Sequence, residues 1–294
     1  MTGAPGRRDR LGTGLLLIAV STVSYSAMPI LGKLAYASGL GPVSLLAWRF
    51  ALALLLLEAM SLRRASVPPL RQRLVLWGLG AVFIVNSYSY FAALERAPAA
   101  TVSLIVYTYP VLVTLLSAAV GLERLTVRAL AAALLAAAGA GLTAGSAPGG
   151  FTGAGVWLAL ASAVGYASYI ILGSRFASGV PTETAARHVA QTCTAVYVPL
   201  AALRGELVLP RSAVAWTAVL GIGLVCTVVA IRAFLAALER LGPARTAVAS
   251  SLEVPITLML AMTFLGETVA LRQWTGGVLI LAAVVLQNWP VRRL

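Results

Sequence analysis

The chain has 294 residues, 60% of them hydrophobic and only 11% charged, with a formal net charge of +13 and a mean hydropathy of +0.92. A soluble domain of this length would need far more polar surface, so hydrocarbon rather than water is the expected solvent for most of it. The positive charge would point to nucleic acid in a soluble protein. Here the basic residues sit between apolar runs, where lipid headgroups and topology account for them, and no nucleic-acid partner is expected.

A helix that crosses hydrocarbon needs roughly 20 apolar residues. Such runs fall near 12–34, 42–62, 73–94, 98–120, 127–145, 152–174, 185–203, 213–238, 243–265 and 269–289. The first follows Arg7-Arg8-Asp9-Arg10 and reaches toward Leu34 with no small-residue cleavage site. It reads as an uncleaved first span rather than a signal peptide. Polar punctuation separates the runs at Arg63 to Arg73, at Ala147-Pro148-Gly149-Gly150 and at Arg204-Gly205-Glu206.

The chain repeats itself. Ala93-Leu94-Glu95-Arg96 recurs as Ala237-Leu238-Glu239-Arg240, and Pro98, Thr101 and Pro110 recur as Pro243, Thr246 and Pro255. Glu123 matches Glu267, and Val23-Ser24-Tyr25 matches Val164-Gly165-Tyr166. Two units are expected, 1–146 and 147–294, joined at the Pro/Gly stretch. With a cytoplasmic N-terminus, outside loops carry Lys33, Arg96, Arg204, Arg211 and Arg272, while Arg49 and Arg232 lie within spans. The other fifteen of the 22 basic residues are then inside, which favours both termini inside. Five spans per unit is an odd number, so the second copy inserts upside down. The expected fold is an all-α membrane protein of ten transmembrane helices, arranged as two inverted five-helix repeats around a midplane site.

Polar residues concentrate in a few spans. Ser21, Ser24, Tyr25 and Met28 share one helical face of the first, and Ser162, Gly165, Tyr166 and Tyr169 the equivalent face of the sixth. Each face serves either as interhelical hydrogen-bonding glue or as a cavity wall made twice by symmetry. Asn86, Ser87, Tyr88, Ser89 and Tyr90 stand in a row in the third span, and five such residues cannot all face lipid. The fourth adds Thr101, Tyr107, Thr108 and Tyr109 before Pro110; Pro110 and Pro255 each free a carbonyl near mid-span. Spans five and ten, rich in Ala and Gly, read as packing or dimer surfaces.

Three intramembrane charges stand out. Glu253 is the copy of Thr108, Arg232 the copy of Tyr88, and Arg49 has His188 as its approximate copy. Such groups pair or face a cavity, and Glu253 and Arg232 are placed on neighbouring spans where they can pair. The candidate substrate-binding set is Ser24, Tyr25, Met28, Asn86, Tyr88, Tyr90, Tyr107, Thr108, Tyr166, Tyr169, Arg232 and Glu253. Cys193 and Cys226 lie inside apolar runs without a His or Asp cluster, so neither a disulfide framework nor a metal site is expected.

These residues resemble the EamA-type branch of the drug/metabolite transporter superfamily over almost the whole chain. The turns Gly121-Leu122-Glu123-Arg124-Leu125-Thr126 and Leu265-Gly266-Glu267-Thr268 look like the family's, as do Arg49-Phe50 and Leu252-Glu253-Val254-Pro255 with one residue inserted. Ser24-Tyr25 stands where the family often has Trp-Gly. The resemblance implies a multi-pass secondary transporter of the inner membrane that exports amino acids or similar small metabolites, without a cofactor, as a monomer or weak homodimer among membrane lipids. The alternatives are a transporter of nucleotide- or sugar-type metabolites, and an integral membrane enzyme acting on a lipid-linked substrate. No Walker motif is present, so ATP is not expected to drive transport directly. An enzyme is disfavoured: Asp9 is the single aspartate, and neither His188 nor Glu253 has an evident catalytic partner.

Overall fold

A computed structural model describes residues 7–61, 68–122, 124–146 and 153–288. Arg63, Arg64, Glu123, the join at 147–150, Arg292 and Arg293 lie outside the described residues, as do the side chains of Arg7, Arg8 and Arg10. The described chain is all helical. Its elements are α1 (Arg7–Ala37), α2 (Pro42–Ser61), α3 (Leu70–Arg96), α4 (Ala99–Val106), α5 (Tyr109–Ala119), α6 (Val127–Gly145) and α7 (Ala154–Phe176). There follow α8 (Thr182–Leu203), α9 (Ala213–Leu220), a π-helical segment (Gly221–Val229), α10 (Ala230–Leu241), α11 (Pro243–Ser250), α12 (Glu253–Leu265) and α13 (Leu271–Asn288).

Among the described residues, seven helical stretches are long and apolar enough to cross a membrane, and α12 and α13 are shorter apolar helices. The eighth helix is not among them, because Glu183, Arg187, His188 and Gln191 interrupt its apolar character. Caps set several ends. The Thr126 and Ser212 hydroxyls accept the N–H of Ala129 and Ala215, each at 3.1 Å, opening α6 and α9. Gly242 and Gly266 close α10 and α12 with φ of 77° and 65°, a conformation that Cβ-bearing residues avoid.

The run at 98–120 is broken into α4 and α5, and that at 243–265 into α11 and α12. Pro110 and Pro255 explain both breaks. Each stands in the first turn after the break, where its missing N–H costs no hydrogen bond; farther along a helix it would cost one. The two breaks are tied together: the Tyr107 hydroxyl donates to the Ser250 carbonyl at 3.1 Å.

Packing follows the internal repeat. The first helix, α1, packs on α10 and α12, and its copy α7 packs on α3 and α5. The second helix packs on the eighth, and α6 packs on α13. Each half therefore lends its first helix to the third and fourth runs of the other half. The α6–α13 crossing is close because it is glycine on glycine. A Cβ on Gly139 would stand 2.5 Å from the Gly276 carbonyl oxygen, and one on Gly276 would stand 2.6 Å from the Gly139 carbonyl oxygen.

Candidate functional site

The exchange of first helices leaves a cavity of about 1120 Å³ between the two halves. Side chains of α1, α2, α3, α7, the π-helical segment and both helix breaks line it. One end is sealed. There the Glu267 carboxylate accepts the N–H of Ala99 at 2.6 Å and of Ala100 at 3.0 Å, at the start of α4. Gln273 donates to the Thr101 hydroxyl at 2.9 Å, and Trp48 donates to the Val208 carbonyl at 3.0 Å. The lining reaches the other end at Thr182, Glu183, Arg232 and Glu239, where Glu183 and Arg232 are both more than half exposed.

Aromatic rings form a continuous wall. Tyr107 meets Tyr109 edge-on at 5.9 Å, Tyr109 meets Tyr166 at 4.8 Å, and Tyr166 stacks on Tyr169 at 6.3 Å. Tyr169 meets Phe83 at 5.0 Å, and Phe83 meets Phe50 at 6.2 Å. Such rings offer apolar faces to a ligand body and, in the tyrosines, hydroxyls to its polar groups. Asn86 accepts from the Ser162 hydroxyl at 2.8 Å. This bond forms where Gly165 allows α7 to approach the α3 backbone: a Cβ there would stand 3.2 Å from the Asn86 Cα.

Two opposite charges face this cavity without pairing. Glu253 is the first residue of α12, and its carbonyl accepts from the Ser26 hydroxyl at 3.1 Å. Arg49 is buried, and its guanidinium lies over the Phe50 and Phe91 rings at 5.1 and 5.5 Å. Its Nε donates to the Thr227 hydroxyl at 3.1 Å, and Nη1 lies 3.7 Å from the Met28 sulfur. Among the described residues no ion pair joins either charge to a partner. Nor, among the described residues, do three His, Cys, Asp or Glu side chains come together.

Of the twelve residues singled out in the sequence, the cavity wall takes Tyr25, Met28, Asn86, Tyr90, Tyr107, Tyr166, Tyr169, Arg232 and Glu253. Three lie off it. The Ser24 hydroxyl turns back to the Val20 carbonyl at 2.7 Å, and the Thr108 hydroxyl to the Ile105 carbonyl at 2.7 Å. Tyr88 points to the outside of α3, 38% exposed, because two residues along a helix is more than half a turn away from Tyr90. Arg232 sits at the mouth and pairs with Glu183 at 3.6 Å, not with Glu253. His188 is buried off the cavity, bonded through Nδ1 to the Thr184 carbonyl at 2.8 Å. Arg49, Phe50, Phe83, Tyr109 and Thr227 join the wall. Of these, Arg49 carried a signal, as a charge alone in an apolar run; for Thr227 nothing in the sequence did.

Comparison with known proteins gives this architecture a context. The model of the EamA-like transporter family matches residues 12–145 and again 153–289. The chain belongs to the EamA-like transporter family. Over 131 residues this EamA-like chain is 37% identical to the aromatic amino acid exporter YddG of Ancylobacter novellus. That match covers 42% of this chain and 45% of the exporter, so the chain spans under half the length of this curated relative. A solved structure, described as the crystal structure of a protein, superposes with a TM-score of 0.63 at 24% identity, covering 94% of this chain and 96% of that one. At that identity the likeness speaks for the fold. With its apolar helices and two family repeats, the chain is a multi-pass EamA-family membrane transporter, and family and relative alike point away from an enzyme.

Proposed function

We propose that this EamA-like chain exports amino acids with aromatic or similarly apolar side chains by alternating access. In this reading ten runs cross the inner membrane as two five-helix repeats, 1–146 and 147–294, inserted in opposite senses with both termini cytoplasmic. The binding set is Tyr25, Met28, Asn86, Tyr90, Tyr107, Tyr166, Tyr169 and Glu253, with Arg232 at the mouth. The observation that carries the reading is a cavity holding a continuous aromatic wall beside a carboxylate and a guanidinium that no ion pair joins to a partner among the described residues. A zwitterion with an apolar side chain matches all three elements. Phosphorylated or nucleotide-type compounds fit less well, since only one arginine stands deep in the wall. The A. novellus relative is named for an activity of the same class. In the proposed orientation the open end, at Glu183 and Glu239, faces the cytoplasm, where an exporter loads.

The test is flux in proteoliposomes containing the purified chain. Radiolabelled phenylalanine, tyrosine and tryptophan should cross saturably, faster than a nucleoside and with no added nucleotide triphosphate. Equal, non-saturable leakage of all four would overturn the reading. Hydrolysis of a lipid-linked substrate without any flux would favour an enzyme.

A further inference from the structure

We propose that Arg49 and Thr227 form a carboxylate-binding subsite within the cavity, with the π-helical segment as its frame. The inference rests on the reading of the cavity as a binding site for amino acids and assigns one end of the ligand within it.

Arg49 is more than nine-tenths buried, with a fractional exposure of 6%. An isolated buried charge is costly, and proteins compensate it with an opposite charge or with a full set of hydrogen bonds. Arg49 has neither among the described residues. It bonds one oxygen, the Thr227 hydroxyl, and makes a long contact to the Met28 sulfur. The aromatic faces of Phe50 and Phe91 offset part of the cost. They also hold the fork in place, because Phe50 stacks on Tyr197 at 5.7 Å and the Tyr197 hydroxyl donates to the Ile84 carbonyl at 2.9 Å. What stays unmet is a planar fork of N–H donors, and a planar carboxylate accepts two of them at once.

Thr227 reaches this position because of the local helix type. Its hydroxyl donates to the carbonyl of Ile222, five residues back, at 2.8 Å, the spacing of a π-helix. The hydroxyl hydrogen is thereby committed, so toward Arg49 the oxygen can only accept. The site also knows which end of a zwitterion it faces. A single turn of α1 packs on both residues, Met28 at the Arg49 guanidinium and Ser26 at the Glu253 backbone carbonyl, and both Arg49 and Glu253 line the cavity. A ligand lying along that turn places its carboxylate at Arg49 and its ammonium at Glu253.

The experiment measures calorimetric binding of three probes to the full chain in detergent: L-phenylalanine, L-phenylalaninamide, which lacks the carboxylate, and 3-phenylpropionate, which lacks the amine. Arg49→Gln should weaken the two carboxylates by about 10- to 100-fold, the loss of a charged hydrogen-bond partner, while the amide changes by less than about threefold. Arg49→Lys should recover part of the loss, since it keeps the charge without the fork. Thr227→Val should weaken the carboxylates by a few-fold, and it keeps the proposal testable if Arg49→Gln does not fold. Equal losses for all three probes, no loss for any, or a wild type that binds no carboxylate would overturn the subsite. The outcomes separate the two readings. Arg49-dependent binding of 3-phenylpropionate with no amino-acid flux keeps the subsite and sinks export; phenylalanine flux with an unchanged KM in Arg49→Gln does the reverse.

Discussion

The Glu267 carboxylate holds the backbone N–H of Ala99 at 2.6 Å and that of its neighbour Ala100 at 3.0 Å. One acidic side chain of the second repeat thus caps the first two peptide groups of α4 in the first repeat, where the helix dipole favours negative charge. This contact joins the halves beside the Gln273–Thr101 bond. In the proposed alternating-access cycle, opening the cavity toward this end requires breaking it.

Glu267→Gln keeps the shape but removes the charge and one of the two acceptors. Loss of a charged hydrogen bond of roughly 1.5–3 kcal/mol should raise the population open at this end by about tenfold or more. The readout is labelling of a cysteine at Asn86 by a membrane-impermeant thiol reagent applied from the periplasmic side, in a background lacking Cys193 and Cys226. Labelling that stays at the wild-type rate would mean the contact does not hold the seal.

Cavity and lipid faces should separate cleanly in cysteine scanning from the cytoplasmic side. Positions Tyr25, Asn86, Tyr90 and Tyr166 line the cavity and should react. Ala133 and Ala137 on α6 should not, and neither should Tyr88, which points away from its cavity neighbour Tyr90. Reaction at Ala133 and Ala137 with protection at Tyr90 would place the path elsewhere.

Glu253→Gln is nearly isosteric and should reduce amino-acid flux at least tenfold while the protein still inserts and runs as a single species on size exclusion. If Glu253 also exchanges a proton for substrate, wild-type flux follows an imposed pH gradient and the variant's residual flux does not. Wild-type rates in Glu253→Gln, with the same response to the gradient, would leave the carboxylate a structural role only.

Gly139→Ala adds a methyl 2.5 Å from the Gly276 carbonyl oxygen and must push α6 off α13. A loss of about 1–3 kcal/mol is expected, read as a lower melting temperature in detergent. Gly141→Ala is the matched control, because nothing lies within 4 Å of its added carbon. Equal melting of the two variants would remove the glycine crossing as a source of stability.

Much of this molecule was legible in the residues. The repeat of Pro110 as Pro255 marked where two matching disturbances fall, although the runs 98–120 and 243–265 read as single spans and the structure breaks each in two; the copies Tyr25 and Tyr166 both line one cavity. Hydroxyl residues were harder to place. In a helix surrounded by apolar groups, Ser24 and Thr108 satisfy themselves on carbonyls of their own turn, which periodicity does not reveal. Partner choice among charges was equally hidden, since Arg232 finds Glu183 on α8 rather than Glu253, which is nearer in sequence. The π-helical segment shifts the register around Cys226 and Thr227, and a pattern with a 3.6-residue period carries no sign of it.

The mutual insertion of first helices also sets a clock for biosynthesis. Asn86 of α3 meets Ser162 of α7, a partner 76 residues later in the chain. At a synthesis rate of roughly 5–20 residues per second, the Asn86 side chain emerges into the bilayer about 4–15 s before the hydroxyl that meets it. Throughout that interval the nascent first half is a client for whatever shields polar helix faces at the insertion machinery. It becomes a finished object only when the second half arrives.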